Sequence, residues 1–139
     1  MNTRRMGLLG LALALGIGSA AIAQEAELSV SEIVVGNRGE DGVVTSAPSF
    51  SRTGGPVFCQ VRLANPSRDA GSIRVAFERA EGEPAERPAT GTQLEYPARP
   101  SYRTFARTAA SGKAAGTWRC VVRTEEGRVL SHADFTVTE

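Results

Sequence analysis

The chain has 139 residues with 16 basic and 15 acidic side chains, so its formal net charge is +1. This balance gives no electrostatic reason to expect nucleic acid or an acidic membrane surface as a partner. The arginines are also spread along the whole sequence, whereas a phosphate-binding protein is expected to gather its basic residues. The length suits one domain with a single modest core.

Residues 1–23 have the order of charged, apolar and small residues that is typical of a secretory signal peptide. Two arginines precede an apolar run over residues 6–17, and small residues lead up to Ala23. The run is short and rich in Gly and Ala, whereas a membrane-spanning helix needs roughly 20 apolar residues. We therefore predict cleavage after Ala23, a single periplasmic or secreted domain over residues 24–139, and no stable membrane insertion after cleavage.

Short runs of alternating apolar and polar residues follow the leader and predict β-strands. Turn residues separate these runs about every 8 to 12 residues, and no helical period is present. The pattern predicts an all-β fold, an antiparallel β-sandwich of about seven strands; a small barrel would differ only in how its edges close. The predicted strands lie near residues 28–35, 43–50, 57–63, 72–78, 90–96, 102–106, 117–123 and 129–137.

Two loops stand out between the predicted strands. Residues 36–42 are rich in Gly, Asn and Asp, which favour turns. A phosphate-binding loop would lead into a helix and a calcium loop needs evenly spaced oxygen ligands, so an inter-strand turn is the favoured interpretation. Residues 80–88 bury little surface, and we expect an exposed, mobile loop there. Both loops are predicted contact sites at the ends of the sandwich.

The alternation within the 117–123 strand assigns an orientation to Cys120. Arg119 and Arg123 share one face, which we expect to be solvent-exposed, so Cys120 points inward. Cys59 is placed inward by the same reasoning. Two inward cysteines in an exported chain predict one intramolecular disulfide between Cys59 and Cys120. The alternatives are two buried free thiols, or a redox pair or nucleophile, but neither cysteine has the Cys-x-x-Cys setting of a catalytic dithiol.

Other candidate sites are weak. The only histidine, His132, lies between Ser131 and Asp134, but adjacent strand residues point to opposite faces, so Ser131 and His132 do not meet as nucleophile and base. One histidine and two paired cysteines also leave a zinc site short of ligands. We predict no catalytic residue, no metal and no cofactor. Arg103 is the one candidate binding residue; it either anchors a partner or stacks and pairs on the sheet surface.

The C-terminal half carries a family resemblance. Residues 102–106 read Tyr-Arg-Thr-Phe-Ala, residues 116–122 read Gly-Thr-Trp-Arg-Cys-Val-Val, and residues 126–130 read Glu-Gly-Arg-Val-Leu. This order resembles a family of uncharacterised bacterial envelope domains. The resemblance implies an immunoglobulin-like sandwich and no activity, because that family is a domain of unknown function. Antibody-type domains carry a tyrosine two residues before the second cysteine, where this chain has its only tryptophan, Trp118.

The sequence therefore predicts an exported, non-catalytic binding or accessory domain whose partner is another envelope protein or a surface ligand. One alternative is a structural subunit that pairs through an edge strand, which an unpaired edge at residues 28–35 would favour. A periplasmic redox or hydrolytic enzyme is the less favoured alternative, because His132 and the two cysteines are its only candidate groups.

Overall fold

The computed structural model describes residues 27–88 and 90–139. The predicted signal peptide lies outside these residues. Within the described ranges, no helix has the length and hydrophobicity that crossing a membrane requires. The elements are β1 (Ser29–Arg38), β2 (Val44–Ser46), β3 (Ser49–Ser51), β4 (Pro56–Ala64), β5 (Gly71–Arg79), β6 (Thr92–Tyr96), β7 (Ser101–Ala109), a 3-10 turn (Ala110–Gly112), β8 (Gly116–Thr124) and β9 (Val129–Thr138).

The strands form two sheets that pack face to face. The four-stranded sheet has the order β2-β1-β4-β7, and the five-stranded sheet has the order β3-β9-β8-β5-β6. Apolar side chains from both sheets meet in one shared core, which includes Val61 and Leu63 from the first sheet and Val75 and Val122 from the second. The predicted all-β sandwich is therefore confirmed.

The described residues form nine strands where eight ranges were predicted, because residues 43–50 do not form one edge strand. β2 pairs with β1, whereas β3 pairs with β9, so the chain crosses between the sheets at Ala47 and Pro48. The Ala47 N–H donates to the Val35 carbonyl and the Thr136 N–H donates to the Pro48 carbonyl, each at 3.0 Å. β3 runs parallel to β9, so the pairing is not wholly antiparallel as predicted.

A β-bulge in β1 explains the irregular spacing of its apolar residues. The register with β4 shifts between Val30 and Glu32, which leaves Ser31 as an extra residue. Val30 and Ile33 both pack against the core although they lie three residues apart. Strict alternation would have placed them on opposite faces.

A disulfide joins Cys59 on β4 to Cys120 on β8 and so links the two sheets. Their Cα atoms are 6.5 Å apart, and both side chains are completely buried in the core. The predicted pairing is present. A two-sheet sandwich with its disulfide between these strands is immunoglobulin-like in architecture, as predicted.

Trp118 fixes one corner of this sandwich. Its indole Nε1 donates to the Ala114 carbonyl oxygen at 2.8 Å, and its ring packs against the core. In antibody-type domains a tyrosine at the corresponding position hydrogen-bonds to upstream backbone through its hydroxyl group. Trp118 therefore makes a comparable corner contact with a different donor.

Candidate functional site

The outward positions of β4 and β7 bring together arginines from distant parts of the sequence. Arg62 lies directly opposite Arg103 in the antiparallel register of these strands. Arg107 lies on the same face as Arg103, because alternate residues of a strand share a face. All three residues are exposed. Arginines that are far apart in the sequence are therefore close together on this face of the fold.

Two aromatic rings lie at the centre of this cationic surface. Phe58 and Phe105 meet edge to face with their ring centroids 5.8 Å apart. The Arg38 guanidinium, at the end of β1, lies 4.5 Å from the Phe105 ring centroid. Phe105 also lies between two outward arginines along β7. We call the four basic residues Arg38, Arg62, Arg103 and Arg107 the arginine face.

No carboxylate within the described ranges forms an ion pair with the arginine face. Like charges directly opposite each other on neighbouring strands destabilise a sheet, by up to about 1 kcal/mol. Arg62 therefore has a like charge opposite it on β7 and an acidic residue, Glu32, opposite it on β1, although Glu32 and Arg62 do not form an ion pair. An exposed guanidinium that no carboxylate occupies can bind an anion through paired N–H donors.

Arg103 is the binding residue that the sequence predicted. Among the residues that the structure describes, no aromatic ring stacks on its guanidinium and no acidic side chain pairs with it. The structural alternative for Arg103 therefore has no contact to support it. Sequence reasoning missed Arg38, Arg62 and Arg107, because their grouping depends on the register between strands, which alternation within one strand does not give.

The 36–42 loop is the turn of the β1–β2 hairpin and borders the arginine face. Gly42 takes a φ of +80°, as a tight turn requires. The Val44 N–H after the turn donates to the Gln60 Oε1 at 3.4 Å, and Gln60 lies on the outward side of β4. The hairpin thus folds back over the sheet instead of projecting from its end, and it contributes Arg38.

The 80–88 loop is anchored to the outward face of the five-stranded sheet. Arg119 and Arg123 on β8 are only 5% and 1% exposed. Arg119 Nη2 donates to the Gly82 carbonyl at 2.6 Å, and Arg123 Nη2 donates to the Ala85 carbonyl at 3.0 Å. The expectation that these two arginines are solvent-exposed is therefore wrong, although the inward orientation predicted for the cysteine of β8 is correct.

Glu78 on β5 is the carboxylate partner of Arg123 and of Arg87. Its oxygens accept hydrogen bonds from Arg123 Nη1 at 2.6 Å and Nη2 at 3.3 Å, and Arg87 of the loop forms a second ion pair with it. Burial alone raises the pKa of Glu78, but the hydrogen bonds and positive charges of Arg123 and Arg87 outweigh burial and lower this pKa below its usual 4.5.

A cavity of about 250 Å³ lies between the 80–88 loop and the sheet. Arg119 contributes to its wall, with Nε at 3.8 Å from an Asp134 carboxylate oxygen. Acidic and basic residues line this cavity in equal numbers, so its charge selects neither anions nor cations. The charged lining is Glu78, Arg79, Glu81, Glu83, Arg87 and Arg119.

The 131–134 segment lies on β9. His132 Nδ1 is 3.8 Å from Asp134 Oδ1, beyond hydrogen-bond distance, and Ser131 occupies the alternate side of the strand. These positions do not form a nucleophile–base pair. Within residues 27–88 and 90–139, no three His, Cys, Asp or Glu side chains come together as a metal site would require.

Lys113 lies at one end of the core with a pKa lowered by burial, which disfavours its charged form. Its Nζ donates to Thr108 Oγ1 at 2.7 Å and lies 5.2 Å and 5.8 Å from the ring centroids of Trp118 and Phe77. These groups partly cover the ammonium group, and this partial burial lowers its pKa.

Comparison with protein families relates the C-terminal part of the chain to a domain of unknown function. Residues 85–137 match the family model described as a protein of unknown function, DUF2914. The matched segment runs from the end of the 80–88 loop through β9 and contains Arg103, Arg107 and Cys120. The predicted resemblance to a domain of unknown function is confirmed, and the DUF2914 match itself names no activity.

Solved structures and curated proteins add no functional information. An immunoglobulin-like protein from Pseudomonas aeruginosa is 14% identical with a TM-score of 0.49, over 81% of this chain and 98% of that protein. A beta-glucosidase from Kluyveromyces marxianus is 13% identical with a TM-score of 0.47, over 81% of this chain and 14% of the enzyme. No curated protein matches the chain.

Proposed function

We propose that this chain is an exported, non-catalytic binding domain of the bacterial envelope that binds an acidic protein partner through the arginine face. The observation that carries the proposal is the direct opposition of Arg62 and Arg103 at exposed positions, without a paired carboxylate among the described residues. Glu32 lies opposite Arg62 on the β1 side without forming an ion pair, whereas Arg103 lies on the outermost strand of this sheet and has only Arg62 opposite it among the described residues. A partner that supplies negative charge beside Arg103 would relieve the repulsion between the two arginines.

The composition of the arginine face supports a protein partner. Arginine and aromatic residues are enriched at protein interfaces, whereas lysine is depleted. Phe58 and Phe105 are half-buried and offer apolar contact beside the guanidinium groups. A planar guanidinium binds a carboxylate through two parallel hydrogen bonds, so Asp and Glu side chains are its natural ligands on a protein.

The proposal assigns no catalysis to the domain. Both cysteines are held in the disulfide, which removes them as nucleophiles or as a free dithiol. The shifted pKa values of Glu78 and Lys113 have structural causes. Arg123 and Arg87 lower the pKa of Glu78, and burial lowers the pKa of Lys113. His132 is separated from Ser131 by the alternation of β9.

Export is also part of the proposal. Residues 1–23 have the composition of a signal peptide, and a structural disulfide persists in oxidising compartments such as the periplasm. The acidic partner would then be another envelope protein.

The test compares two double variants that lose the same net charge. Arg62→Gln with Arg103→Gln removes charge from the arginine face, whereas Arg52→Gln with Arg128→Gln removes it from exposed ion pairs elsewhere. Polyglutamate is titrated into each folded protein by calorimetry at two salt concentrations. We expect salt-sensitive binding that falls about tenfold or more in the first variant and is retained in the second.

Three results would contradict the proposal. Equal loss in both double variants would show that only the net charge matters. If the unaltered protein did not bind polyglutamate, the proposal that it binds an acidic protein partner would be wrong. Binding to phosphatidylglycerol vesicles without binding to polyglutamate would indicate a membrane surface in place of a protein.

One observation favours a second function, the structural subunit that pairs through an edge strand. Within the described residues, β2 pairs with β1 only from Gly36 onward, so residues 29–34 of β1 have a neighbouring strand only on the β4 side. The bulge between Val30 and Glu32 disrupts this edge as a pairing template. Sedimentation velocity tests this alternative, because self-assembly would depend on concentration.

A further inference from the structure

β7 is the longest of the edge strands that the described residues form; residues 29–34 of β1 are also open on one side, but the bulge between Val30 and Glu32 interrupts them. Among the strands formed by residues 27–88 and 90–139, four lie at sheet edges: β2, β3, β6 and β7. The first three have three, three and five residues, whereas β7 has nine. Short edge strands prevent unwanted pairing with other chains, and β7 lacks this protection.

β7 is also a regular pairing template. Its register with β4 runs without a bulge from Ser101 opposite Ala64 to Ala109 opposite Pro56. The strand contains no proline. In the described part of the chain, no strand pairs with the side of β7 that faces away from β4. The N–H and C=O groups on that side can form the ladder that an added strand requires.

The charge of β7 disfavours a second copy of itself as the occupant in the two most symmetric registers. Two β7 strands paired antiparallel about Phe105 would place Arg103 opposite Arg107, and a parallel pair would place each arginine opposite its equivalent. Like charges directly opposite each other are unfavourable in either case. An acidic strand reverses the sign of both interactions, so the residues that disfavour these self-pairings favour an acidic partner.

The spacing along β7 specifies a pattern for that partner. Arg103, Phe105 and Arg107 alternate on one face, and strand geometry separates the two arginines by about 14 Å. Residues directly opposite on an added strand have Cβ atoms about 5 Å away. A complementary strand therefore carries two acidic residues four positions apart with an apolar residue midway between them.

The geometry points to an extended acidic segment of another protein that adds to β7 as the fifth strand of the four-stranded sheet. Its acidic-x-apolar-x-acidic pattern meets Arg103, Phe105 and Arg107, and its backbone pairs with the open side of β7. This inference rests on the proposed use of the arginine face and adds a backbone requirement to it. Anionic lipids and polysaccharides have no peptide backbone to complete the ladder, so the observations favour a polypeptide.

The experiment uses two capped peptides of identical composition. The patterned peptide Thr-Glu-Thr-Val-Thr-Glu-Thr places both glutamates and the valine on one face of a strand, whereas Thr-Glu-Val-Thr-Glu-Thr-Thr places the glutamates on opposite faces. Two further versions of the patterned peptide carry N-methyl groups on either the odd or the even amides. Alternate amides of an added strand face β7, so one methylated version should lose binding and the other should keep it.

Binding is measured by calorimetry on the folded protein, together with amide hydrogen exchange. We expect the patterned peptide to bind about tenfold tighter than its control and to slow exchange at β7 amides. Arg107→Gln should weaken this binding about tenfold, whereas Arg52→Gln, which removes an exposed charge elsewhere, should not.

Equal binding of both peptides and of both methylated versions would overturn strand addition. If the arginine face were still required for polyglutamate in that case, the proposed function would stand without this inference. If neither peptide nor polyglutamate bound, both would fail.

Discussion

Glu78 and Arg123 form a partly buried ion pair that joins β5 to β8 on the outward face of the five-stranded sheet. Arg123 is 1% exposed and donates two hydrogen bonds to the Glu78 carboxylate, at 2.6 Å and 3.3 Å. The Ala85 carbonyl of the covering loop accepts two more from the same guanidinium. Removing two charges from water is costly, so the stability of this face depends on both partners being present.

Removing one member of the pair should cost far more than removing both. Glu78→Met leaves the Arg123 charge buried without its carboxylate and should lower the free energy of unfolding by about 3 kcal/mol or more. Glu78→Met combined with Arg123→Met should recover most of this loss, because no unpaired charge remains. Urea unfolding of the single and double variants measures the coupling. Additive losses would contradict the assigned pairing, and Glu83→Met is the control in the exposed part of the loop.

Glu78 should also make stability depend on pH. Burial raises the pKa of Glu78, but the hydrogen bonds and charges of Arg123 and Arg87 lower it by more than burial raises it. The pKa of Glu78 in the folded protein therefore lies below its value in the unfolded chain. The stabilisation is therefore complete above about pH 4.5 and is lost as the pH falls through the folded pKa. We expect Glu78→Gln to flatten the acid limb of the unfolding free energy below about pH 4.5. An acid limb identical to that of the unaltered protein would contradict this expectation.

The sequence predicts the faces of strands well, and this is why it predicts the disulfide. Alternation within each strand places Cys59 and Cys120 inward, and an exported chain with two inward cysteines has a simple pairing. The same periodicity fails locally in β1, where the bulge at Ser31 changes the face of later residues. A bulge depends on how a strand pairs with its neighbour, and the sequence of one strand alone does not show that pairing.

What covers a face is harder to predict than which residues lie on it. Arg119 and Arg123 lie outward as alternation requires, but the 80–88 loop buries them by presenting carbonyl oxygens at Gly82 and Ala85. Backbone carbonyls are present at every residue, so composition does not reveal them. The arginine face is unpredictable for a related reason, since it is assembled by register between strands that are distant in sequence.

Gly127 should control the docking of the 80–88 loop. It takes a φ of +96°, and a Cβ at this position would collide with the Arg87 carbonyl oxygen. Gly127→Ala should therefore destabilise the protein by more than about 1 kcal/mol and displace the loop. Gly82→Ala is the matched control, because Gly82 has a φ of +66° and a methyl group added there would meet no other atom within 4 Å. Cleavage after the loop glutamates by a Glu-specific protease should accelerate in Gly127→Ala only, and equal rates would contradict loop docking at this glycine.

The disulfide should supply a large part of the total stability. Cys59 and Cys120 are 61 residues apart, and closing a loop of this length stabilises a fold by about 4 kcal/mol in the chain-entropy model. We expect no reactive thiol in protein recovered from an oxidising compartment, two after reduction, and a large fall in melting temperature on reduction. Reduction removes no side-chain atoms, so comparing it with Cys59→Ala combined with Cys120→Ala separates the cross-link from the packing of the two side chains. A readily alkylated thiol in the native protein, with little change in melting, would overturn the structural role and restore the redox hypothesis.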